Sequence, residues 1–275
     1  INCRHIFSND TILHRTQIPF FIHMIFTNLI ETNLRTKELG KQIEYYQRID
    51  STNKEAWEII DLEDITHGTI VITDNQLSGK GRNGNTWFMS PSKGLAMSII
   101  LKQSISIQDG LLIPIAAGAA IAKALENRGG NPKLKWPNDI LINNKKCGGV
   151  LCETRIKNNY IKQMVIGIGL NVNETNNDFP DTLSKSATSL AIETNQSNQR
   201  ELLCAIITTY FERLLNDLPS SLPIWQNYCN HINESVSFNQ GGINQNGIFK
   251  GLDNDGRAII QVDAKEILFN SITLN

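Results

Sequence analysis

The chain has 275 residues, 40% apolar and 19% charged, which suits one large core with a smaller one beside it and excludes a disordered chain. Lys and Arg number 26 against 27 Asp and Glu, so a net charge of −1 argues against nucleic acid or an anionic membrane surface as a partner. Any positive charge that matters must be local.

Cys3, Cys147, Cys152, Cys204 and Cys229 are odd in number and contain no CxxC pair. His5, His14, His23, His67 and His231 show no ligand spacing. Neither a disulfide framework nor a zinc site is indicated, and a reducing cytoplasm is the simplest setting.

Residues 1–38 hold no glycine and no clean helical or strand period. The apolar run Ile18–Phe26 falls far short of the roughly 18 residues of a membrane span. No small-residue cleavage site follows it, which argues against a signal peptide. The chain begins with Ile, whereas Met24 stands just ahead of the first patterned segment. Residues 1–23 therefore read as an upstream extension of the frame, and 1–38 as a poorly ordered N-terminal extension.

"QIEYYQRI" (Gln42–Ile49) is strand-like, and "DSTNKEAWEIIDLE" predicts a helix capped at Ser51 or Thr52. "GTIVITDNQ" reads as a strand running into the loop "QLSGKGRNGNTW", and "GLAMSIILK" (Gly94–Lys102) as another apolar strand. Residues 110–130 predict a buried helix ended by a glycine pair. "KWPNDILINNKKCGGV" predicts a hairpin turning near Asn143–Asn144, followed by two further strands. An amphipathic helix over 199–217 and a shorter one near Pro223–Cys229 lead to a tail of short strands spaced by Gly, Asn and Asp. That tail has the pattern of a small β-barrel. The architecture is α+β: a mixed-sheet catalytic domain over 39–230 and a small all-β domain over 231–275.

Gly79, Gly81 and Gly84 can present backbone N–H groups as a concave nest, with Lys80 and Arg82 adding full charge. Such a loop suits a phosphate or a carboxylate becoming an acyl phosphate, although a solvated turn is the bland alternative. It has neither the GK[ST] close of a Walker loop nor the setting of a dinucleotide fingerprint. Asp139 and Lys146 should face each other across the hairpin, with Gly148–Gly149 admitting a ligand close to the backbone. A lysine there can stabilise negative charge at phosphorus. Asn171 ends an apolar strand, and Trp87 is either a ligand stacker or core.

The ordered set "DSTN", "Q…SGKGRNGNTW", "KWPND", "KKCGGVLCE" and "GIGLNVN" resembles the biotin protein ligases, from about Leu39 to the end. The tail "GIFKGLDNDGRAII" is similar to their SH3-like C-terminal domain. The resemblance implies a biotin/lipoate ligase-like fold, formation of biotinyl-5′-AMP from biotin and ATP with Mg²⁺, and transfer of biotin to a lysine of a carboxylase's biotin carboxyl carrier domain. It places Ser51, Thr52, Asn53 and Gln76 at the ureido end of biotin, and Gly149 in the biotin pocket. Lys80, Gly81 and Arg82 would hold the carboxylate and then the adenylate phosphate. Lys146 would be the main catalytic cation, with Arg82 and Asp139 assisting and Asp139 positioning groups or a magnesium ion. Gly79, Trp87, Asn138 and Asn171 would face the nucleotide. No protein metal site is expected.

The sequence departs from the family at Lys80, where an arginine is usual, and at Ala96, where an aromatic is common. No helix-turn-helix is readable before the ligase region, so a stand-alone ligase without nucleic-acid binding is expected. Monomer and homodimer stay open. A lipoate or octanoyl ligase on the same fold, and a biotin-binding regulatory module without catalysis, are the alternatives.

Overall fold

The computed structural model describes residues 24–62, 64–240 and 243–274. In chain order come α1 (Thr27–Asn33), β1 (Ile43–Tyr46), α2 (Thr52–Leu62), β2 (Ile70–Thr73), β3 (Gly79–Lys80), β4 (Thr86–Trp87), β5 (Leu95–Leu101), β6 (Ile105–Ser106) and α3 (Ile107–Asn127). They are followed by β7 (Pro132–Lys135), β8 (Asp139–Ile142), β9 (Lys145–Lys157), β10 (Tyr160–Leu170), α4 (Leu190–Thr194), α5 (Arg200–Leu215) and α6 (Ser221–Tyr228). Finally come β11 (Ser235–Gln240), β12 (Ile243–Leu252), β13 (Ala258–Val262) and β14 (Lys265–Phe269).

A mixed sheet runs β1-β2-β5-β10-β9-β8-β7, with β6 paired to β10. Only the β1–β2 pair is parallel among its strands as described. β11 to β14 form a separate four-stranded antiparallel sheet, and a bridge joins Phe238 to Leu274 near the end of the chain. This is the expected α+β architecture of a mixed-sheet domain and a small SH3-like one.

Side chains alternate across each strand, so each strand has two distinct faces. Ile72, Met97, Ile99, Ile166 and Ile168 enter the large core, which includes buried residues of α3 and α5. On the other face Val71, Ile100 and Val165 pack with Ala56, Ile59 and Ile60 of α2. The α2 face is only partly covered, and the remainder of it carries the site.

α3 starts three residues before its expected first residue because Ser106 accepts a hydrogen bond from the Asp109 N–H and caps it. It ends at the glycine pair: Gly129 takes φ +82° and the Gly130 N–H returns to the Leu125 carbonyl. By length and composition α3 matches a membrane span, yet its apolar faces are buried against α5, α6 and the sheet. Those contacts account for its hydrophobicity without a bilayer.

The extension expected over 1–38 divides into two parts. Residues 1–23, with Cys3, His5, His14 and His23, lie outside the described residues. Residues 24–38 correct the expectation, since they belong to the main body: Ile25 and Ile30 are buried. Glu212 on α5 accepts the backbone N–H groups of Lys37, Glu38 and Leu39 at 2.6, 2.9 and 2.7 Å. One long-range carboxylate thus satisfies backbone donors that a periodic element would otherwise satisfy, and a local pattern cannot display that.

The start of α5 is tied to the sheet by a buried ion pair. Arg200 Nη2 lies 2.7 Å from Asp74 Oδ1, with side chains 6% and 5% exposed. Asp74 Oδ2 also accepts from the Tyr45 hydroxyl at 2.5 Å and the Ile25 N–H at 3.3 Å.

Candidate active site

The floor of the site is a stretch of sheet rich in glycine. Gly149 faces Gly169, and Leu151 faces Gly167, across the β9–β10 pairing. A Cβ at Gly167 would come within 2.3 Å of Asn53 Oδ1, and one at Gly169 within 2.5 Å of the Trp87 ring. Both positions therefore need glycine. The two glycines of "GIG", two positions apart and so on one face of the strand, are the sequence signal for this floor.

Across the floor stands the glycine loop, folded as a ribbon in which β3 pairs β4 around a turn at Arg82–Gly84. The turn uses left-handed backbone at Asn83 (φ 56°) and Gly84 (φ +77°). Gly79 is required because a Cβ would meet the Trp87 carbonyl and Gln76 Nε2, both at 2.5 Å. The expected nest of free N–H groups is not formed: the Gly81 N–H donates to the Asn85 carbonyl at 2.7 Å. Ribbon pairing competes for the donors, so the loop's positive charge here comes from Lys80 and Arg82.

Three long-range contacts pin this loop. Arg82 donates from Nη1 to Asn138 Oδ1 at 3.3 Å and from Nη2 to Ser271 Oγ at 2.5 Å, and Asn83 donates to Thr273 Oγ1 at 3.1 Å. Arg82 is half-buried, and desolvation lowers its pKa while Asp139 opposes that shift. A partly desolvated guanidinium gains from an anion placed beside it.

The β8–β9 hairpin turns on Asn143 and Asn144, both at positive φ, as expected. A bulge between Ile140 and Leu141 shifts the register, and Lys146 Nζ ends 2.5 Å from Asp139 Oδ1. The Lys146 backbone is itself held from both sides, its N–H donating to Ser186 and its carbonyl accepting from Thr188.

These parts enclose a cleft of about 900 Å³, counted to its open mouth. Ser51, Thr52, Asn53 and Gln76 line it, Thr52 being hydrogen-bonded to Gln76. Lys80, Gly81, Arg82, Asn138, Asp139 and Lys146 line it too, together with Trp87 and Gly149. Two expected residues are not in the lining. Gly79 is covered by Trp87 and Gln76, and Asn171 is 3% exposed, its amide donating to the Thr188 carbonyl at 2.9 Å. The loop after β10 folds back onto Cys147 and Thr188, which draws Asn171 beneath the surface.

Trp136, Pro137, Gly167, Gly169, Thr273 and Leu274 also line the cleft and were not assigned to the site from sequence. The last two come from the end of the chain, so the small domain contributes to the wall. A second cavity of about 640 Å³ lies beside Arg82, between Gly110, Leu111 and Pro114 of α3 and Arg257 and Ser271.

The cleft lining includes one carboxylate, Asp139, and it is paired with Lys146. Among the described residues no group of three or more His, Cys, Asp or Glu converges. The residues present do not form a protein cage for magnesium, which would arrive on the phosphates of a nucleotide. The four described cysteines are free thiols, and burial pushes Cys152 and Cys204 up to about 12.

Residues 45–171 match the model of the biotin/lipoate A/B protein ligase family. The bifunctional ligase/repressor BirA of Bacillus subtilis is 32% identical over 245 residues, 85% of this chain and 74% of BirA. The biotin–[acetyl-CoA-carboxylase] ligase of Paracoccus denitrificans is 26% identical over 81% of this chain and 98% of its own length. The structure of the Aquifex aeolicus biotin protein ligase in complex with biotin and ATP superposes with a TM-score of 0.73 at 26% identity, covering 86% of this chain and 99% of that one. With these relatives sharing its sequence along most of its length, the chain belongs to the biotin protein ligases of the biotin/lipoate A/B protein ligase family.

Proposed function

We infer that the chain is an ATP-dependent biotin protein ligase. It joins the biotin carboxylate to AMP with release of pyrophosphate, then passes the biotinyl group to a lysine of a carrier domain. The observation that carries this reading is one cleft lined by hydrogen-bonded neutral groups (Thr52, Gln76) and by three cations (Lys80, Arg82, Lys146), with glycines in its floor. A ureido ring with a carboxylated tail has that same division.

The chemistry requires the cations. A carboxylate attacking the α-phosphorus is repelled by phosphate oxygens, so fixed cations must stand where charge develops. We assign that task to Lys146, whose ammonium is aimed by Asp139, and to Arg82, which is bonded to the neighbouring Asn138. Magnesium bound with the nucleotide would neutralise the departing pyrophosphate. Lys80, Gly81 and Arg82 would then cover the mixed anhydride and exclude water until the acceptor amine enters. Ser51, Thr52, Asn53, Gln76 and Gly149 form the biotin side. Gly79, Trp87, Asn138 and Asn171 are assigned to the nucleotide side, Gly79 and Asn171 acting from behind the surface.

The acceptor is the carrier protein or carrier domain of a biotin-dependent carboxylase. Buried free thiols suit the reducing cytoplasm, where we place the enzyme. Biotin-dependent exchange of pyrophosphate into ATP tests the first step without any acceptor. Exchange that requires biotin supports the ligase, exchange that requires lipoate moves the substrate, and tight biotin binding without exchange leaves a binding module.

A further inference from the structure

Beneath Thr52 and Gln76 runs a chain of hydrogen bonds that reaches a carboxylate outside the cleft lining. Asn53 Nδ2 and Trp57 Nε1 both donate to Glu153 Oε2, at 2.8 and 3.3 Å, and Asn53 Nδ2 also reaches the Leu151 carbonyl at 3.3 Å. Ser98 Oγ lies 2.7 Å from Asn53 Oδ1 and 2.8 Å from Thr52 Oγ1. The Thr52 N–H donates to Gln76 Oε1 at 2.9 Å. Thr52, Asn53 and Ser98 are all buried.

The direction of every proton in this chain follows from its far end. Glu153 Oε2 accepts from both Asn53 and Trp57, and the Leu151 carbonyl can only accept, so the Asn53 amide turns its NH₂ toward them and its oxygen toward Ser98. That oxygen only accepts, so the single Ser98 proton belongs to Asn53. Ser98 Oγ is placed to donate to both Asn53 Oδ1 and Thr52 Oγ1 but has one proton, so once Asn53 takes it the 2.8 Å contact with Thr52 must use the Thr52 proton. This outweighs the 3.4 Å contact of Thr52 Oγ1 with Gln76 Oε1, which lies at the limit of a hydrogen bond. Thr52 is left with lone pairs for a ligand. Gln76, with its oxygen held by the Thr52 N–H, is left with Nε2 as a donor. The cleft thus offers an acceptor and a donor side by side, the complement of one N–H and the C=O of a cyclic urea.

We propose that Glu153 is a positioning residue that fixes the donor and acceptor polarity of the ureido-binding end, acting through Asn53 and Ser98 on Thr52. The proposal rests on the biotin ligase reading. It predicts selectivity between ligands of the same shape, because a buried hydrogen-bonding group with the wrong partner is left unpaired.

Binding of biotin and of its cyclic carbamate analogue, in which a ring oxygen replaces the ureido N–H that faces Thr52, is measured by calorimetry on the full chain and on Glu153→Leu, Ser98→Ala and Glu153→Gln. In the first two variants the biotin Kd should rise about tenfold, the loss of one well-formed hydrogen bond, and the preference for biotin over the carbamate should shrink by about the same factor, because a freed Thr52 proton can then be donated to the ring oxygen. KM for ATP and kcat at saturating biotin should stay within about twofold, as expected for a change confined to ligand binding. Glu153→Gln should retain the wild-type preference, because Asn53 and Trp57 together hold its carbonyl oxygen in place. Ser98→Ala removes only one oxygen and keeps the test decisive where Glu153→Leu fails to fold. Unchanged preference in folded Ser98→Ala overturns the proposal, as does an equal loss in biotin binding, ATP KM and kcat. Absence of biotin binding by the wild-type chain overturns the ligase reading first, and the relay with it.

Discussion

Lys146 Nζ lies 2.5 Å from Asp139 Oδ1, two side chains brought together by a hairpin whose turn is a pair of asparagines. Both groups are partly exposed, at 42% and 29%, so the pair contributes little to stability. Its consequence is directional: the carboxylate holds the ammonium on the cleft side of β9. Lys146→Ala should lower the rate of biotinyl-AMP formation by about 10²–10³-fold, the usual effect of removing one charge-stabilising donor. Asp139→Asn keeps the lysine but loosens its aim, and should cost less. Single-turnover formation of biotinyl-AMP measures both, with melting temperatures expected to stay near wild type.

Arg82 stands between the cleft and the second cavity and is bonded to Asn138 and Ser271. If it holds the adenylate, its loss acts on retention. Arg82→Ala should release biotinyl-AMP at least about tenfold faster, the equivalent of one charge-assisted hydrogen bond. Ser271→Ala should leave retention nearly intact, because the arginine's charge remains. Retention of labelled intermediate after rapid gel filtration separates these outcomes; equal retention by wild type and Arg82→Ala would contradict the assignment.

Gly169 supports the Trp87 ring so closely that a Cβ has no room. Gly169→Ala must displace the indole or bend the ribbon carrying it. The expected result is weaker binding of biotinyl-AMP, by about 1–3 kcal/mol as for other small overpacking changes, accompanied by a change in Trp fluorescence. Gly84→Ala tests loop strain separately, since nothing lies within 4 Å of its Cβ position and only its positive φ resists substitution.

Glu174 is buried, and desolvation raises its pKa to about 7 from the ordinary 4.5. One oxygen accepts the Val172 N–H at 2.8 Å, and the other has no hydrogen-bond partner among the described residues. The folded state binds this proton more tightly than the unfolded one. Stability from this site is therefore present below pH 4.5 and lost as pH rises through 7. Glu174→Gln mimics the protonated carboxyl and should stabilise the chain above pH 7 by on the order of 2–3 kcal/mol, with the difference vanishing at pH 4.5. Thermal melts across that range decide it.

The sheet strands and the long helices were legible because their faces are apolar at period two or 3.6, and the hairpin because asparagine tolerates positive φ. Most of the cleft was legible too, since Ser51, Thr52, Asn53, Gln76, Lys80, Arg82, Asp139 and Lys146 stand in short motifs. What escaped depends on distant parts of the chain. Thr273 meets Asn83 across 190 positions, and Glu212 satisfies the backbone before β1 across 175. Glu153 stands inside the motif "KKCGGVLCE", but its contacts with Asn53 and Trp57 form only once α2 is laid over β9. The N–H nest failed for a local reason: the loop's glycines allow a ribbon as readily as a nest, and backbone pairing chose the ribbon.

The most direct test of the account is mass spectrometry of a purified biotin carboxyl carrier domain incubated with the enzyme, ATP, Mg²⁺ and biotin, with lipoate in a parallel reaction. A gain of one biotinyl group, absent with lipoate and lost in Lys146→Ala, is the predicted result. Transfer of lipoate in preference to biotin, or full biotin transfer by Lys146→Ala, would contradict it.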